Sequence, residues 1–260
     1  MWTHFQELYR YRDLLWSLAL RDIKVRYRQT LLGAAWAVLQ PVAFMLIFTL
    51  VFSKFGKVGS DGTPYPLFSY AGLVPWTFFA TAMSLAVNSV AANMNLVKKI
   101  YFPREVFPCG VVIGCLLDLC IASLLIGILM VIYHVPPTVH LLWMPWLIAV
   151  EVAFVLSLCL FLSAVNVFYR DVKYIVPFIV QLGIFVTPVI YSASVVPEKL
   201  RSWYMLNPMA VVIDGVRKVV LHGQPPAVGP LVACTLSVTV CGIAAYAYFK
   251  KAELKFADLI

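Results

Sequence analysis

Six long apolar runs dominate the chain, at about Leu31–Phe52, Leu67–Ala92, Val106–Tyr133, Leu141–Val165, Tyr174–Tyr191 and Gly229–Phe249, and short polar segments separate them. About 20 apolar residues in an α-helix cross a hydrocarbon core of roughly 30 Å. The pattern therefore predicts an all-α polytopic membrane protein with six transmembrane helices. The second and third runs are longer than a crossing needs and imply tilt or extension beyond the bilayer. Ahead of the first run, Phe5, Leu8, Tyr9, Leu15, Trp16 and Ala19 fall on one side at helical spacing, with Glu7, Arg10 and Asp13 elsewhere. That spacing predicts an amphipathic helix along the membrane interface.

The segment Ser192–Val228 breaks the pattern. Its apolar part, Trp203–Leu221, is interrupted by Asn207-Pro208, Asp214 and Arg217-Lys218. A full crossing would leave those charges and any unpaired backbone in lipid. Two arrangements avoid this: short re-entrant helices dipping in from outside between the fifth and sixth spans, or an external loop with one interfacial helix.

Charge sets the orientation. Arg21, Lys24, Arg26 and Arg28 stand directly before Leu31–Phe52, which carries no charge. With the N-terminus inside, the inner segments hold fourteen Lys and Arg residues and the outer ones six. Cations concentrate in cytoplasmic loops, so both termini are expected to be cytoplasmic. Hydrophobic residues make up 62% of the 260 and charged residues 12%, with a mean hydropathy of +0.89. Soluble domains average about 25% charged residues, which excludes a water-soluble fold. The net charge of +8 fits loops beside anionic lipid, not nucleic-acid binding. The first 30 residues show no short apolar stretch followed by a small-residue cleavage site, so the first span is expected to serve as an uncleaved anchor. Six cysteines in or beside apolar runs lack CxxC spacing and read as small packing residues.

The chain offers little catalytic chemistry. Its one Gly-Lys pair, Gly56-Lys57, lacks the preceding glycine of a phosphate loop and cannot hydrolyse ATP by that motif. The four histidines, at 4, 134, 140 and 222, have no metal-ligand spacing. No catalytic and no metal-binding residues are assigned. Asp118 and Glu151 lie deep in apolar runs, where a carboxyl either packs by hydrogen bonding or serves transport. Aromatics are denser: Phe44, Phe48 and Phe52 repeat every four residues, Trp76 and Phe79 open the second run, and Phe178, Phe185 and Tyr191 lie in the fifth. They suit an interfacial belt facing lipid or a pore whose rings pack on sugar faces. Asn93–Pro108, NMNLVKKIYFPREVFP, sets apolar residues among its cations and suits a short docking helix, and Asn166–Lys173, NVFYRDVK, is a second charged loop.

Four segments together, RDIKVRYRQTLLGAAWAVLQP, YAGLVPWTFF with NLVKKIYFPRE, NVFYRDVKYIVPFIVQLGIFVTPVIYS and YMLNPMAVVIDGVR, carry a resemblance over nearly the full length. The chain resembles the permease subunit of type-2 ABC exporters, in the branch that exports O-antigen and related polysaccharides. The resemblance implies one ABC-2 type transmembrane domain over 1–260. Its parts are an interface helix and basic segment (1–30), spans one to five (31–191), an external gate region (192–228), span six (229–249) and a cytoplasmic tail (250–260). It implies a homodimer in the bacterial inner membrane, paired with two copies of a separate ATPase subunit. ATP and Mg are then bound by that partner, with no cofactor in this chain. The implied substrate is an undecaprenyl-type lipid-pyrophosphate-linked polysaccharide.

The resemblance also assigns roles. Asn95, Leu96, Val97, Lys98, Lys99, Ile100 and Tyr101 match a coupling helix seated in the ATPase, with Arg170 and Asp171 in the second cytoplasmic loop beside it. Arg21, Lys24, Arg26 and Arg28 are placed to attract the lipid pyrophosphate, or serve topology alone. Phe44, Phe48, Phe52, Trp76, Phe79, Phe185 and Tyr191 are the candidate channel aromatics. Pro197, Trp203, Asn207, Pro208, Asp214 and Arg217 fall in the external gate. Teichoic acid or another amphiphile is an alternative cargo. A multispan glycosyl- or acyltransferase would need converging acids or histidines near one membrane face, and the chain has none.

Overall fold

The computed structural model describes residues 10–256 apart from 29, 56–61, 95, 97–101, 193, 194, 196 and 198–203. Regular structure among the described residues is entirely helical. In chain order the helices are α1 (Arg12–Tyr27), α2 (Trp36–Phe48), α3 (Tyr65–Ala86), the single turn α4 (Ser89–Ala92), α5 (Val106–Ile132), α6 (Met144–Phe168), α7 (Val172–Val186), α8 (Pro208–Leu221) and α9 (Val228–Glu253). Short 3-10 turns, Gly33–Ala35 and Val139–Trp143, lead into α2 and α6, and α2 runs on into a π-helical turn, Thr49–Phe55.

Every predicted apolar run is helical, but they are not equivalent. Among the described residues, four segments are long and apolar enough to cross a bilayer: Gly33–Phe52, Val106–Ile132, Val139–Phe168 and Val228–Glu253. The second run differs because it is the centre of the bundle. Fifteen of the 22 residues of α3 are buried, and it packs against α2, α5, α6, α7 and α8. Its tyrosines, prolines and hydroxyl residues suit contact with protein. The predicted helix to Ala92 breaks at Val87-Asn88 before α4. The fifth run is shorter than expected. At 15 residues α7 extends about 22 Å, and the chain turns at Thr187–Tyr191.

The N-terminal helix departs most from expectation. It covers the basic segment itself, so Arg21, Lys24 and Arg26 are helical. Leu18 and Ala19 are its buried residues, whereas Trp16, expected on that face, is 59% exposed. The reason is the partner surface: α1 lies lengthwise along α5, over Gly110 and Gly114. A Cβ on Gly110 would sit 3.6 Å from the Ala19 nitrogen, and one on Gly114 3.5 Å from Ile23 Cγ1. Small residues four apart let two helix backbones approach closely. The tip of α1 reaches Asp118, twelve residues or about 18 Å along α5.

Between α7 and α9 the structure describes one complete helix, α8; most of the stretch where the other of an expected pair of short helices would fall, 198–203, lies outside the described residues. Eleven of the 14 residues of α8 are buried. Asn207 caps it, its side-chain oxygen accepting from Met209 N–H at 3.0 Å, and Pro208 opens the first turn, where a missing N–H costs nothing. The polar interruptions are paired: Asp214 with Lys218 at 2.7 Å, and Arg217 with backbone carbonyls.

Glu151 on α6 is 2% exposed, and its Oε1 has no hydrogen-bond partner among the described residues. An unsatisfied buried polar group costs about 1–3 kcal/mol. Glu151→Met is therefore expected to raise the thermal unfolding midpoint of the detergent-purified protein. An unchanged or lowered midpoint would show that the carboxyl has a stabilising partner.

Candidate functional site

Two neighbouring cavities open among α1, α2, α3, α5 and α7. The first, about 290 Å³, is lined by Arg26, Tyr27, Trp36 and Asp118 together with Gln40, Thr77 and Thr81. The second, about 320 Å³, is lined by Phe44, Phe48, Trp76, Gln181 and Phe185 and by the same Gln40, Thr77 and Thr81. Those three residues border both cavities, which lie side by side: the first holds the charged and amide groups at the tip of α1, the second the aromatic rings between α2, α3 and α7. Each of the last three helices carries an interior proline, Pro41, Pro75 and Pro177. Each proline removes one ladder hydrogen bond from a helix wall of the groove.

The structure brings four of the seven candidate channel aromatics together. Phe44 and Phe48, one turn apart with ring centroids at 5.9 Å, face Trp76 and Phe185 across the groove. Gly183 makes room for the indole: a Cβ there would lie 2.9 Å from Trp76 Cη2. The other three stand elsewhere. Phe52 continues the stripe from within the π-helical turn, its ring centroid 5.9 Å from that of Phe48, but it is not among the residues lining the groove. Phe79 stacks on Phe154 of α6, with centroids 6.0 Å apart and planes at 5°. Tyr191 shares a 2.7 Å hydrogen bond with the Tyr204 hydroxyl and lies within reach of the Phe185 and Val186 carbonyls.

The basic quartet divides. Arg21 pairs with Asp22 at 2.9 Å and donates to Asn93 Oδ1 at 3.3 Å. Arg26 forms an ion pair with Asp118, and the Tyr27 hydroxyl donates to the other carboxylate oxygen. Burial, then the bond to Asp118, pushes the Tyr27 phenol up to about 12, so it remains a donor at neutral pH. Lys24 and Arg28 are exposed. Asp118 thus has the structural partners that its position in an apolar run demands.

At the end of the bundle holding the C-terminal helix, both predicted coupling loops emerge together. Asn95, Val97, Lys98, Lys99, Ile100 and Tyr101 lie outside the described residues, and Leu96 is exposed. Arg170 and Asp171 are exposed in the turn between α6 and α7. The first loop is anchored on both sides. Before it, Asn93 accepts from Arg21, and Asn88 accepts from buried Asn166 at 3.4 Å, which in turn caps Lys173 N–H at 3.1 Å. After it, Glu105, 1% exposed, takes Lys250 at 2.7 Å and the Tyr246 hydroxyl at 3.2 Å. Arg104 donates to the Glu253 carbonyl at 2.6 Å. A second apolar cluster, with Leu18, Phe102, Phe107, Leu160, Phe249 and Phe256, packs around these bonds.

At the opposite end, Arg217 is 5% exposed and lies 3.6 Å from the centroid of the Phe68 ring. It donates to the carbonyls of Pro188 (2.5 Å), Val189 (2.6 Å), Tyr191 (3.0 Å) and Phe68 (3.3 Å). It fastens α8 to the turn that ends α7. Asp214 and Lys218 face a cavity of about 200 Å³ beside it. Asn207 also donates from Nδ2 to Thr187 Oγ1 at 3.1 Å, Pro197 is exposed, and Trp203 lies outside the described residues. Sequence reasoning missed Gln40, Gln181, Thr77, Thr81, Glu105 and Lys250. The two glutamines were legible as lone amides in apolar runs; the Glu105–Lys250 pair spans most of the chain and left no local trace.

The ABC-2 type transporter profile matches residues 13–221, and the chain belongs to that family, whose members are the membrane subunits of ABC transporters. It is therefore an integral membrane protein. It is 32% identical to the O-antigen export system permease protein RfbA of Myxococcus xanthus, covering 98% of both chains. A Klebsiella pneumoniae protein of the same name is 31% identical over 95% of each. The polysialic acid transport protein KpsM of Escherichia coli is 23% identical over 92% of this chain and 94% of that protein.

Proposed function

We propose that this chain is the membrane subunit of an ATP-driven exporter that moves lipid-pyrophosphate-linked O-antigen or a similar cell-surface polysaccharide out of the bacterial cytoplasm. The single observation that carries this reading is the pair of adjacent cavities, one bearing polar groups and one lined by aromatic rings, with Gln40, Thr77 and Thr81 bordering both. Polar groups suit sugar hydroxyls, and aromatic faces suit the C–H faces of pyranose rings. The names of the relatives point the same way. In this reading the chain is non-catalytic, sits in the inner membrane as a homodimer with both termini cytoplasmic, and draws its work from two ATPase subunits that bind ATP and Mg. Helices α3 and α7 complete six spans, α3 enclosed by protein and α7 packed against protein on one side only. The anchored loop around Asn95–Tyr101 receives the ATPase, and α8 with its flanking turns gates the outer side. Exposed Lys24 and Arg28 draw in the pyrophosphate.

Glycan analysis of a deletion strain tests the assignment. Polymer on its lipid carrier is expected to accumulate in the cytoplasm and return to the surface on complementation; a normal surface glycan in the deletion strain would defeat it. Within the groove, Phe185→Ala, at an exposed ring, is expected to slow glycan export roughly tenfold, the loss of one stacking contact of about 1.4 kcal/mol, with unchanged protein level in the membrane. Full export rates from that variant would remove the groove from the path.

A further inference from the structure

We propose that the cavity at the tip of α1 is a binding site for a single neutral sugar ring, with Arg26, Asp118, Gln40 and Thr81 holding its hydroxyls and Trp36 packing on its face. The proposal rests on the exporter reading and goes beyond it by giving one cavity a ligand class.

Three observations carry it. The first is composition. A guanidinium, a carboxylate, a carboxamide and hydroxyl groups converge on about 290 Å³ between helices that are otherwise apolar. A cavity bordered by such groups takes water or a polar guest. Asp118 accepts from Arg26 and Tyr27 and keeps one further lone pair on each oxygen, while the Gln40 carboxamide presents an acceptor and a donor in one plane, the arrangement that meets two neighbouring hydroxyls at once.

The second observation is charge. Arg26 is paired with Asp118, which also accepts from Tyr27, so the cavity carries no net charge from its ionic groups. An anion would have to displace the carboxylate from the guanidinium. The exposed cations, Lys24 and Arg28, are not among its lining residues. A neutral, many-hydroxyl ligand is favoured over the pyrophosphate, and Arg26 thereby leaves the group first assigned to the carrier's charge.

The third is position. Gln40, Thr77 and Thr81 belong to this cavity and to the aromatic groove, and Trp36 is about half exposed at the cavity wall. A ring held here adjoins the groove through which the rest of the polymer is proposed to run.

The test uses the full-length chain in lipid nanodiscs. The Trp36 contribution to fluorescence is isolated by difference against Trp36→Phe. The probes are the neutral methyl glycosides of glucose, galactose, mannose and rhamnose, and inorganic pyrophosphate. At least one glycoside is expected to change the Trp36 fluorescence saturably, and the Gln40→Leu/Thr81→Val variant to shift its midpoint upward roughly tenfold by loss of two hydrogen bonds. Pyrophosphate is expected to leave it unchanged. Absence of saturation with all four glycosides, an unshifted midpoint, or a stronger response to pyrophosphate would each overturn the proposal. Should the double variant lose its thermal transition, Asp118→Asn is titrated in its place against the same criterion. The deletion strain judges the exporter reading separately, so failure of the sugar site and failure of the export assignment are distinguishable.

Discussion

Arg217→Leu is expected to destabilise the protein by about 3–5 kcal/mol. Its guanidinium meets four carbonyls, three of them in the turn after α7. Removing it leaves buried acceptors unpaired, each costing about 1–3 kcal/mol, and opens a void beside Phe68. Lysine is expected to recover only part of the loss, because a single ammonium cannot span a fork of acceptors. Thermal unfolding in detergent reads both. A check on the cause comes from Gly72, where a Cβ would stand 2.7 Å from Arg217 Nη2 and 3.0 Å from the Val189 oxygen. Gly72→Ala is expected to cost several kcal/mol in the parent and much less in Arg217→Leu, since the two substitutions break the same arrangement. Additive losses would show that Arg217 acts through something else.

Lys250→Met is the second large effect. Glu105 is 1% exposed and has Lys250 and Tyr246 as its partners. Withdrawing one member of a buried ion pair costs about 3–5 kcal/mol, because the remaining charge keeps its desolvation penalty without its attraction. The same substitution frees the exit of the loop proposed to meet the ATPase, so export is expected to fall further than protein level does. Adding Glu105→Leu is expected to restore much of the stability without restoring export. Melting curves and surface glycan are the measurements. A double variant as unstable as the single one would mean that packing against Phe102 and Phe256, not charge, holds this end.

Much of the architecture was legible along the chain because burial in a bilayer writes itself as uninterrupted apolar length. Six runs gave six helices, and the breaks at Asn207-Pro208 and after Val186 follow from local chemistry. What the runs could not show was which helices face protein. The aromatics and hydroxyls that make α3 the hub look, in isolation, like an interfacial belt. Four-residue spacing aligned Phe44, Phe48 and Phe52, with ring centroids 5.9 Å apart at each step, but could not show that only the first two line the groove. Trp16 was misplaced because the surface beneath α1 is a pair of glycines on α5, a contact almost a hundred residues away in sequence. Arg217 was read as an interruption to be kept from lipid, while its acceptors, carbonyls of a turn, have no side-chain signature at all.

The glycine seam between α1 and α5 has a mechanical consequence. Packed helices commonly rearrange by slipping one turn, about 5.4 Å. On α5, one turn either way from Asp118 would set Arg26 opposite Gly114 or Ala122, neither of which can receive a charge. The register therefore has one stable setting. Under the proposed coupling, a push delivered to the start of α5 is expected to move α1 with it as a single rod, its tip with Arg26 and Tyr27 travelling the same distance as its base.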